Sequence, residues 1–214
     1  MTVPTTTTMA LQPRQLFGGA ITMPIPVGYL DASDMRQVPD NQEVFLSPDS
    51  DTSIIIEILA PVDEGGADQD LWEAATFHFA SVAHDNAALS STVITTHPPI
   101  PAQQQTAASF AALTSPAPVA LVGTQRVHKF SHDPTGAPRR GHESDTPDEV
   151  WIALALYRVD VVVGASIKKA DVVVTANVNA SAAGGADEVV KVQKWLDESA
   201  KGFKIVDWGL FGDQ

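Results

Sequence analysis

The pattern of apolar positions predicts more strands than helices in this chain. Three stretches, residues 53–59, 149–160 and 170–178, are dominated by apolar and β-branched residues. Residues 149–160 are apolar on both faces, so they predict a central strand covered by structure on each side. Residues 170–178 predict the antiparallel neighbour of that strand. Further strands are predicted at residues 16–24, 43–46, 92–96 and 119–129.

Two segments show helical spacing instead. In the first, Asp68 is predicted to cap a helix whose apolar face consists of Trp72, Ala75, Phe79 and Val82. The second is predicted to begin at Asp187 and to end before Gly202, and its inner side consists of Val189, Val192, Trp195 and Leu196. The pattern as a whole predicts an α+β fold, in which an antiparallel sheet of about six strands is covered by helices on both faces.

Residues 16–46 combine turn and strand signals within a short stretch. Gly18 and Gly19 interrupt an apolar run, which predicts a bulge or a close approach of the backbone. Pro24 and Pro26 are expected to stop regular strand pairing, because proline has no backbone N–H to donate. Either Asp31 or Ser33 is a candidate cap for a short helical turn before Arg36. This stretch therefore predicts a shaped surface and contains no catalytic motif.

The length of 214 residues and the apolar content of 44% predict one globular domain. We assign residues 1–15 to a disordered tail and residues 16–214 to a single domain, with a mobile loop around residues 131–147, where turn residues accumulate. The absence of cysteine excludes disulfides and cysteine-based zinc sites. Neither a signal peptide nor a membrane span is recognisable, so we expect a soluble intracellular protein.

Negative charge is concentrated in one part of the chain. The net charge is −13, and the segment from Asp31 to Glu73 contains twelve acidic residues and one basic residue, Arg36. This balance argues against nucleic acid as a partner, because phosphate would be repelled. Two interpretations of the acidic segment stay open: a surface that maintains solubility, or a docking face for a basic protein.

Metal and cofactor chemistry have little support in the sequence. His128, His132 and His142 lie in a loop without the spacing of a recognised metal motif. His78 has no second metal ligand one helical turn away, so packing or hydrogen bonding is the favoured role for it. Phosphate-binding, dinucleotide-binding and nucleophile-elbow motifs are absent. We therefore predict no metal and no cofactor.

Residues 16–21, LFGGAI, and the pattern P-x-G-x-x-D-A-S-x-x-R-x-V-P-D-x-Q-E-V at residues 26–44 resemble the opening of the Ran guanine-nucleotide release factor (Mog) family. Later residues that match the same family are Trp72, His78, Phe79, Gly123, Gln125, Val127, Lys129, Arg158, Asp171, Val172, Val173, Val174, Asn177, Val206, Asp207, Leu210 and Phe211. The chain departs from the family pattern at Val159, Ala170 and Asn179, where leucine, threonine and proline are usual. The spacer before His78 is also longer.

The resemblance implies a three-layer α/β/α sandwich around a mainly antiparallel sheet, a fold shared with photosystem PsbP-like proteins. It further implies that the protein binds the small GTPase Ran and stimulates release of its guanine nucleotide, which supports nuclear protein import. The expected location of the protein is the nucleus and also the cytoplasm. Such a protein acts by binding and is not an enzyme. The expected partners are Ran and a further Ran-binding protein, and the chain itself is expected to be a monomer.

The family resemblance and the acidic segment together predict a surface that contacts Ran. Its expected members are Asp31, Asp34, Arg36, Asp40, Glu43 and Glu57, with Asp63 and Glu64 as outer charges. Ala60 stands where the family tends to have a second acid. A Ran-binding scaffold without exchange activity shares all these features, whereas a carboxylate-dependent hydrolase would need a deep cleft with converging acids. A PsbP-like photosynthetic role would require a targeting peptide, which residues 1–15 do not resemble.

Overall fold

In the computed structural model, which describes residues 9–95, 114–131, 133–163 and 165–212, strands outnumber helices. The strands are β1 (Leu11–Leu16), β2 (Ile21–Pro26), β3 (Leu30–Asp31), β4 (Gln42–Leu46), β5 (Ser53–Leu59), β6 (Ser90–Val93), β7 (Val119–Val127), β8 (Asp148–Val163), β9 (Ser166–Asn179) and β10 (Lys204–Ile205). The α-helices are α1 (Leu71–Asp85) and α2 (Gly185–Gly202). Short 3₁₀ turns occupy Phe17–Gly19, Ala32–Asp34, Glu64–Gly66 and Trp208–Phe211.

The central sheet contains seven strands in the order β3-β4-β5-β9-β8-β7-β6, and every neighbouring pair is antiparallel. The long strands β8 and β9 occupy the middle, as their continuous apolar runs predict. Their register extends from Val150 opposite Asn179 to Val163 opposite Ser166. The α+β class and the antiparallel sheet are confirmed, and the sheet has one strand more than the predicted six.

Alternate residues of β8 point to opposite faces of the sheet. One set packs beneath α1 in a core cluster that includes Ala74, Ala75, Phe79, Ile152, Leu154 and Leu156. The other set packs beneath α2 in a second cluster that includes Ala153, Ala155, Tyr157, Val192, Trp195 and Leu196. The predicted three-layer arrangement is therefore confirmed, with one helix on each face of the sheet.

A small second sheet in the order β1-β2-β10 lies on the α2 side of the molecule. The backbone oxygen of Pro24 accepts hydrogen bonds from Trp195 Nε1 at 3.0 Å and from Ser199 Oγ at 2.8 Å. Pro24 and Pro26 pair regularly with β1, so the expectation that these prolines stop strand pairing is wrong. The reason is that β10 pairs only with Ile21 and Thr22, which leaves the other edge of β2 without ladder bonds at the prolines.

Two further expectations for the N-terminal region need correction. Residues 11–15 belong to β1, so the tail predicted at residues 1–15 extends too far into the domain, and residues 1–8 lie outside the described residues. Gly18 and Gly19 form the tight turn between β1 and β2 and not a bulge within one strand. Their φ angles of 64° and 95° lie in the left-handed region that glycine adopts easily.

The predicted starts of the helices are also displaced. α1 begins at Leu71, and the Asp70 carboxylate, in place of Asp68, accepts a hydrogen bond from the Trp72 N–H at 2.8 Å. α2 begins at Gly185, before Asp187, and Gly202 is its last residue. The strand predicted at residues 92–96 lies at Ser90–Val93. The described part of the 131–147 loop contains turns, and its mobility stays a prediction.

No helix within the described residues is long and apolar enough to cross a membrane.

The contact between α1 and β7 gives a prediction for Gly123. An added Cβ at this buried position would lie 2.5 Å from the backbone oxygen of Thr92 and still closer to the Phe79 ring. We expect Gly123→Ala to lower the free energy of unfolding by about 1–3 kcal/mol, measured by urea denaturation, because the α1 layer must shift. In a Phe79→Leu background the same change should cost less. Equal losses in both backgrounds would contradict this account.

Candidate docking surface

Glu57 presents a half-buried carboxylate on the α1 face of the sheet. Gln42 of β4 lies opposite Glu57, and Gln42 Nε2 donates a hydrogen bond to Glu57 Oε1 at 2.5 Å. On its other side Glu57 lies opposite Val173, a member of the core cluster beneath α1, and directly opposite residues share a face. Burial raises the pKa of Glu57 above its ordinary value, and Asp85 adds to the rise, whereas Gln42 and His78 oppose it.

Glu43 lies on the opposite face of the sheet from Glu57. It is paired with Ile56, a member of the core cluster beneath α2. Its Oε1 accepts a hydrogen bond from the Phe17 N–H at 2.5 Å, so this side chain ties β4 to the turn between β1 and β2. Burial raises the pKa of Glu43; the Phe17 hydrogen bond opposes the rise and the nearby Asp31 carboxylate adds to it.

The remaining predicted residues near the hairpin lie in the connection between β3 and β4. Asp31 caps the 3₁₀ turn there, because its Oδ1 accepts from the Ser33 N–H at 2.9 Å, which confirms its predicted capping role. Asp34, Arg36 and Asp40 are exposed in the same connection. The structure therefore brings Asp31 and Glu43 together, and the sheet separates both from Glu57.

Asp63 and Glu64 are exposed in the connection between β5 and α1, and a buried side chain fixes this connection. Arg158 of β8 donates hydrogen bonds to the backbone oxygens of Val62, at 3.0 Å, and Ala67, at 2.5 Å. These two acceptors flank the acidic pair in the sequence. The outer charges are thus held on a connection that is anchored to the centre of the sheet.

Arg158 itself belongs to a buried cluster with Asp171 and His78. Arg158 Nε donates to Asp171 Oδ1 at 2.8 Å and its Nη2 donates to Oδ2 at 2.9 Å. His78 Nε2 lies 2.9 Å from Oδ2, and because an ionised carboxylate only accepts, this nitrogen carries the hydrogen. The side chains of Arg158, Asp171 and His78 are 8%, 0% and 6% exposed.

The cluster keeps the Asp171 carboxyl ionised although it is fully buried. Burial alone would raise the pKa of Asp171, but hydrogen bonds from His78, Arg158 and the Val62 N–H outweigh it and hold the pKa below its ordinary value. The bonds to Asp171 in turn raise the pKa of Arg158. The hydrogen-bonding role predicted for His78 is confirmed. The sequence patterns do not reveal the cluster as a unit, although a register with residue 163 opposite residue 166 places residue 158 opposite residue 171.

Within the described ranges, no three or more histidine, aspartate and glutamate side chains are grouped so that they could hold a metal ion. His132 lies outside those ranges, and His142 is paired with Asp145 at 2.9 Å. Glu43 and Glu57, which are both half-buried, lie on different faces of the sheet and do not converge on one another.

Comparison with known proteins identifies relatives of this chain. A family model described as "Ran-interacting Mog1 protein" matches residues 14–179. The chain is 45% identical over 78 residues to the Ran guanine nucleotide release factor of Danio rerio, a segment that covers 36% of this chain and 40% of that protein. It is 44% identical over 73 residues to nuclear import protein mog1 of Schizosaccharomyces pombe, covering 34% and 36% of the two chains. The aligned segments thus span two fifths or less of these relatives.

The similarity of fold extends further than the similarity of sequence. The crystal structure of the Saccharomyces cerevisiae Ran-binding protein Mog1p matches with a TM-score of 0.61 and 25% identity, over 96% of this chain and 100% of that chain. A structure of a Mog1 mutant also gives a TM-score of 0.61, at 24% identity. The layered architecture described above is therefore shared with solved structures over nearly the whole chain.

The buried cluster gives a stability prediction for Asp171. Asp171→Asn would leave the Arg158 guanidinium buried without its anion, so we expect the free energy of unfolding to fall by about 3–5 kcal/mol. Urea denaturation monitored by tryptophan fluorescence measures this loss. The double variant Arg158→Met/Asp171→Leu removes both charges and should lose less than the single variant. A larger loss in the double variant would show that the unpaired charge is not the cause.

The raised pKa of Glu57 gives a prediction for pH dependence. Because the folded-state pKa lies above the ordinary value, protonation favours the folded state, and stability falls as pH rises through the folded pKa. Glu57→Gln should therefore increase the free energy of unfolding at pH about 7, and the gain should shrink towards zero below the unfolded pKa of about 4.3. Urea denaturation at both pH values tests this.

Glu198→Gln is the matched control, because it removes the same charge from the exposed side of α2. A gain at neutral pH that is equal in the Glu57 and Glu198 variants would assign the effect to net charge and contradict the role of burial.

Proposed function

Because the chain belongs to the family of Ran-interacting Mog1 proteins, we propose that it binds the small GTPase Ran and promotes release of the guanine nucleotide from Ran. The relatives that carry the name Ran guanine nucleotide release factor support this proposal. Those named nuclear import protein support a role in nuclear import, exercised in the nucleus and the cytoplasm.

The observation that carries the proposal is the half-buried Glu57 carboxylate held by Gln42. Burial raises the pKa of Glu57, and a carboxyl whose pKa is perturbed by burial is a candidate for a functional group. Asp40 lies in the turn that leads into β4, and Asp63 and Glu64 follow β5. We propose that Glu57 is the central contact for a basic side chain of Ran, and that these exposed acids surround it.

The proposal assigns roles at the edge of the sheet to the other predicted residues near β3 and β4, which are Asp31, Asp34, Arg36 and Glu43. Asp31 and Glu43 lie on the α2 face, where Glu43 is bound to the Phe17 N–H. A partner could contact Glu57 on the α1 face and also Asp31 and Glu43 on the α2 face only by enclosing the edge of the sheet at β3 and β4. We therefore propose that Asp34 and Arg36 make outer contacts there, and that Asp31 and Glu43 shape the edge more than they bind.

The proposed mechanism is thermodynamic linkage and needs no bond chemistry from this protein. A partner that binds empty Ran more tightly than nucleotide-loaded Ran lowers the nucleotide affinity by the same factor. A tenfold effect requires only about 1.4 kcal/mol of differential binding. Carboxylates suit this task, because they can hold basic residues of the GTPase in arrangements that no longer serve phosphate.

Release of a fluorescent guanine nucleotide from purified Ran tests the proposal. We expect faster release when this protein is added, and we expect the acceleration to weaken at high salt because exposed charges are screened. Glu57→Lys should weaken Ran binding by about 2–5 kcal/mol, as measured by calorimetry, while leaving the melting curve close to that of the parent.

Glu198→Lys is the control, with the same charge change on the exposed side of α2, and it should bind Ran like the parent. Binding that is unchanged in a folded Glu57→Lys variant would remove this residue from the site. Binding without accelerated release would leave a Ran-binding scaffold, and no binding would refute the proposal.

A further inference from the structure

An open cleft of about 780 Å³ lies at the end of the β4–β5 hairpin away from Glu57. Its walls are the turn between β4 and β5, residues 47–52, and the beginning of α2. The apolar part of the lining includes Val27, Pro48 and Val178, and the polar part includes Tyr29, Asp49 and Glu188. Neither the acidic docking surface nor the buried cluster uses any of these residues.

Glu188 is a mostly buried carboxylate, and the hydrogen bonds that it accepts are long. Its side chain is 16% exposed and lies in the first turn of α2, where the helix dipole favours negative charge. It accepts hydrogen bonds from Ser50 Oγ at 3.3 Å, Thr52 Oγ1 at 3.3 Å and Lys191 Nζ at 3.4 Å. Charge-assisted hydrogen bonds are normally near 2.7–2.9 Å, so this carboxylate retains capacity for a stronger donor.

Tyr29 supplies a second, independent sign of an incomplete site. The residue is 7% exposed, and its hydroxyl oxygen is buried without a hydrogen-bond partner of acceptable geometry among the described residues. Burial raises the pKa of Tyr29 to about 12; the Glu188 carboxylate adds to the rise and the Ser47 hydroxyl opposes it. The hydroxyl is therefore neutral and lies beside Glu188. Buried polar atoms are rarely left without a partner, so this hydroxyl has hydrogen-bonding capacity that an ordered water or a ligand in the cleft can satisfy.

The charges around the cleft favour a positively charged ligand. The residues that line the cleft include three carboxylates, those of Asp49, Asp51 and Glu188, and one ammonium group, that of Lys191, so the lining itself has an excess of negative charge. Two cations outside the lining lie nearby: Lys129 pairs with Asp51 at 2.6 Å, and Arg14 donates a hydrogen bond to the backbone oxygen of Tyr29. No cluster in the described part of the chain has three metal-type ligands close together. The apolar wall suits an aliphatic stem.

We propose that this cleft binds an organic cation through an alkylguanidinium or alkylammonium group whose stem lies on the apolar wall. Glu188 accepts the strong hydrogen bonds of the cation, and the Tyr29 oxygen is a further acceptor. Two sources carry this chemistry: the arginine or lysine side chain of a peptide, and a free diamine.

Calorimetric titration of the isolated protein, without Ran, tests the proposal independently of the proposed function. The probes are N-acetyl-arginine-N-methylamide for the peptide source, putrescine for the free diamine, and N-acetyl-norleucine-N-methylamide as a neutral analogue. We expect saturable binding of at least one cation below about 10 mM, which is the weak range appropriate to a single side chain. The tighter cation identifies the source. Binding of the neutral analogue with equal affinity, or no saturable binding of either cation, overturns the proposal.

Variants of α2 distinguish a cation site from an anion site. Glu188→Gln should weaken cation binding about tenfold or more, whereas Lys191→Gln should strengthen it, because the competing ammonium group is removed. Asp187→Asn is the matched control on the same turn, exposed and outside the cleft, and should bind like the parent. If Glu188→Gln does not fold, Tyr29→Phe should still weaken binding by removing only the hydroxyl. Weaker binding in Lys191→Gln, or unchanged binding in Tyr29→Phe and in a folded Glu188→Gln, contradicts the site.

Discussion

The ion pair between Arg158 and Asp171 adds buried polar bonds to parts of this molecule that also pack together in the core cluster beneath α1. Moving a guanidinium and a carboxylate out of water is costly, and the cost is offset only when the hydrogen-bonding groups of both are satisfied. Here they are satisfied by two central strands, by His78 of α1 and by backbone groups of Val62 and Ala67. The cluster therefore fixes at one point the sheet, the α1 layer and the connection that precedes α1.

This constraint has a consequence for the acidic surface. The connection that bears Asp63 and Glu64 also contains Gly65 and Gly66, and it is restrained where Val62 and Ala67 pack in the core cluster beneath α1 and accept the hydrogen bonds from Arg158. The acids are thus held near the end of β5, where Leu59 lies directly opposite Asp171 of the buried cluster. A preorganised carboxylate loses less conformational entropy on binding than a mobile one does, which favours affinity.

Sequence patterns predicted the strands well and the local geometry less well. Residues 53–59 and 149–160 were recognisable because β-branched and apolar runs of that length require burial in a sheet. The faces of Glu43 and Glu57 were not predictable, since one residue of register decides them and the register depends on the partner strand. The cap of α1 was misplaced for a related reason. Both Asp68 and Asp70 suit the role, and only the preceding 3₁₀ turn selects Asp70.

The same reasoning limits what net charge says about function. Of the acids in the segment from Asp31 to Glu73, Asp31 and Asp70 accept backbone hydrogen bonds as caps, and Glu43 accepts one from Phe17. Those carboxylates stabilise the fold, and their negative charge is partly balanced by the N–H groups they bind. The proposed docking surface therefore relies on acids such as Glu57, whose hydrogen bond comes from the side chain of Gln42 and not from a backbone N–H group. Charge density along the sequence overstates the binding surface, because backbone capping and partner binding use the same residue types.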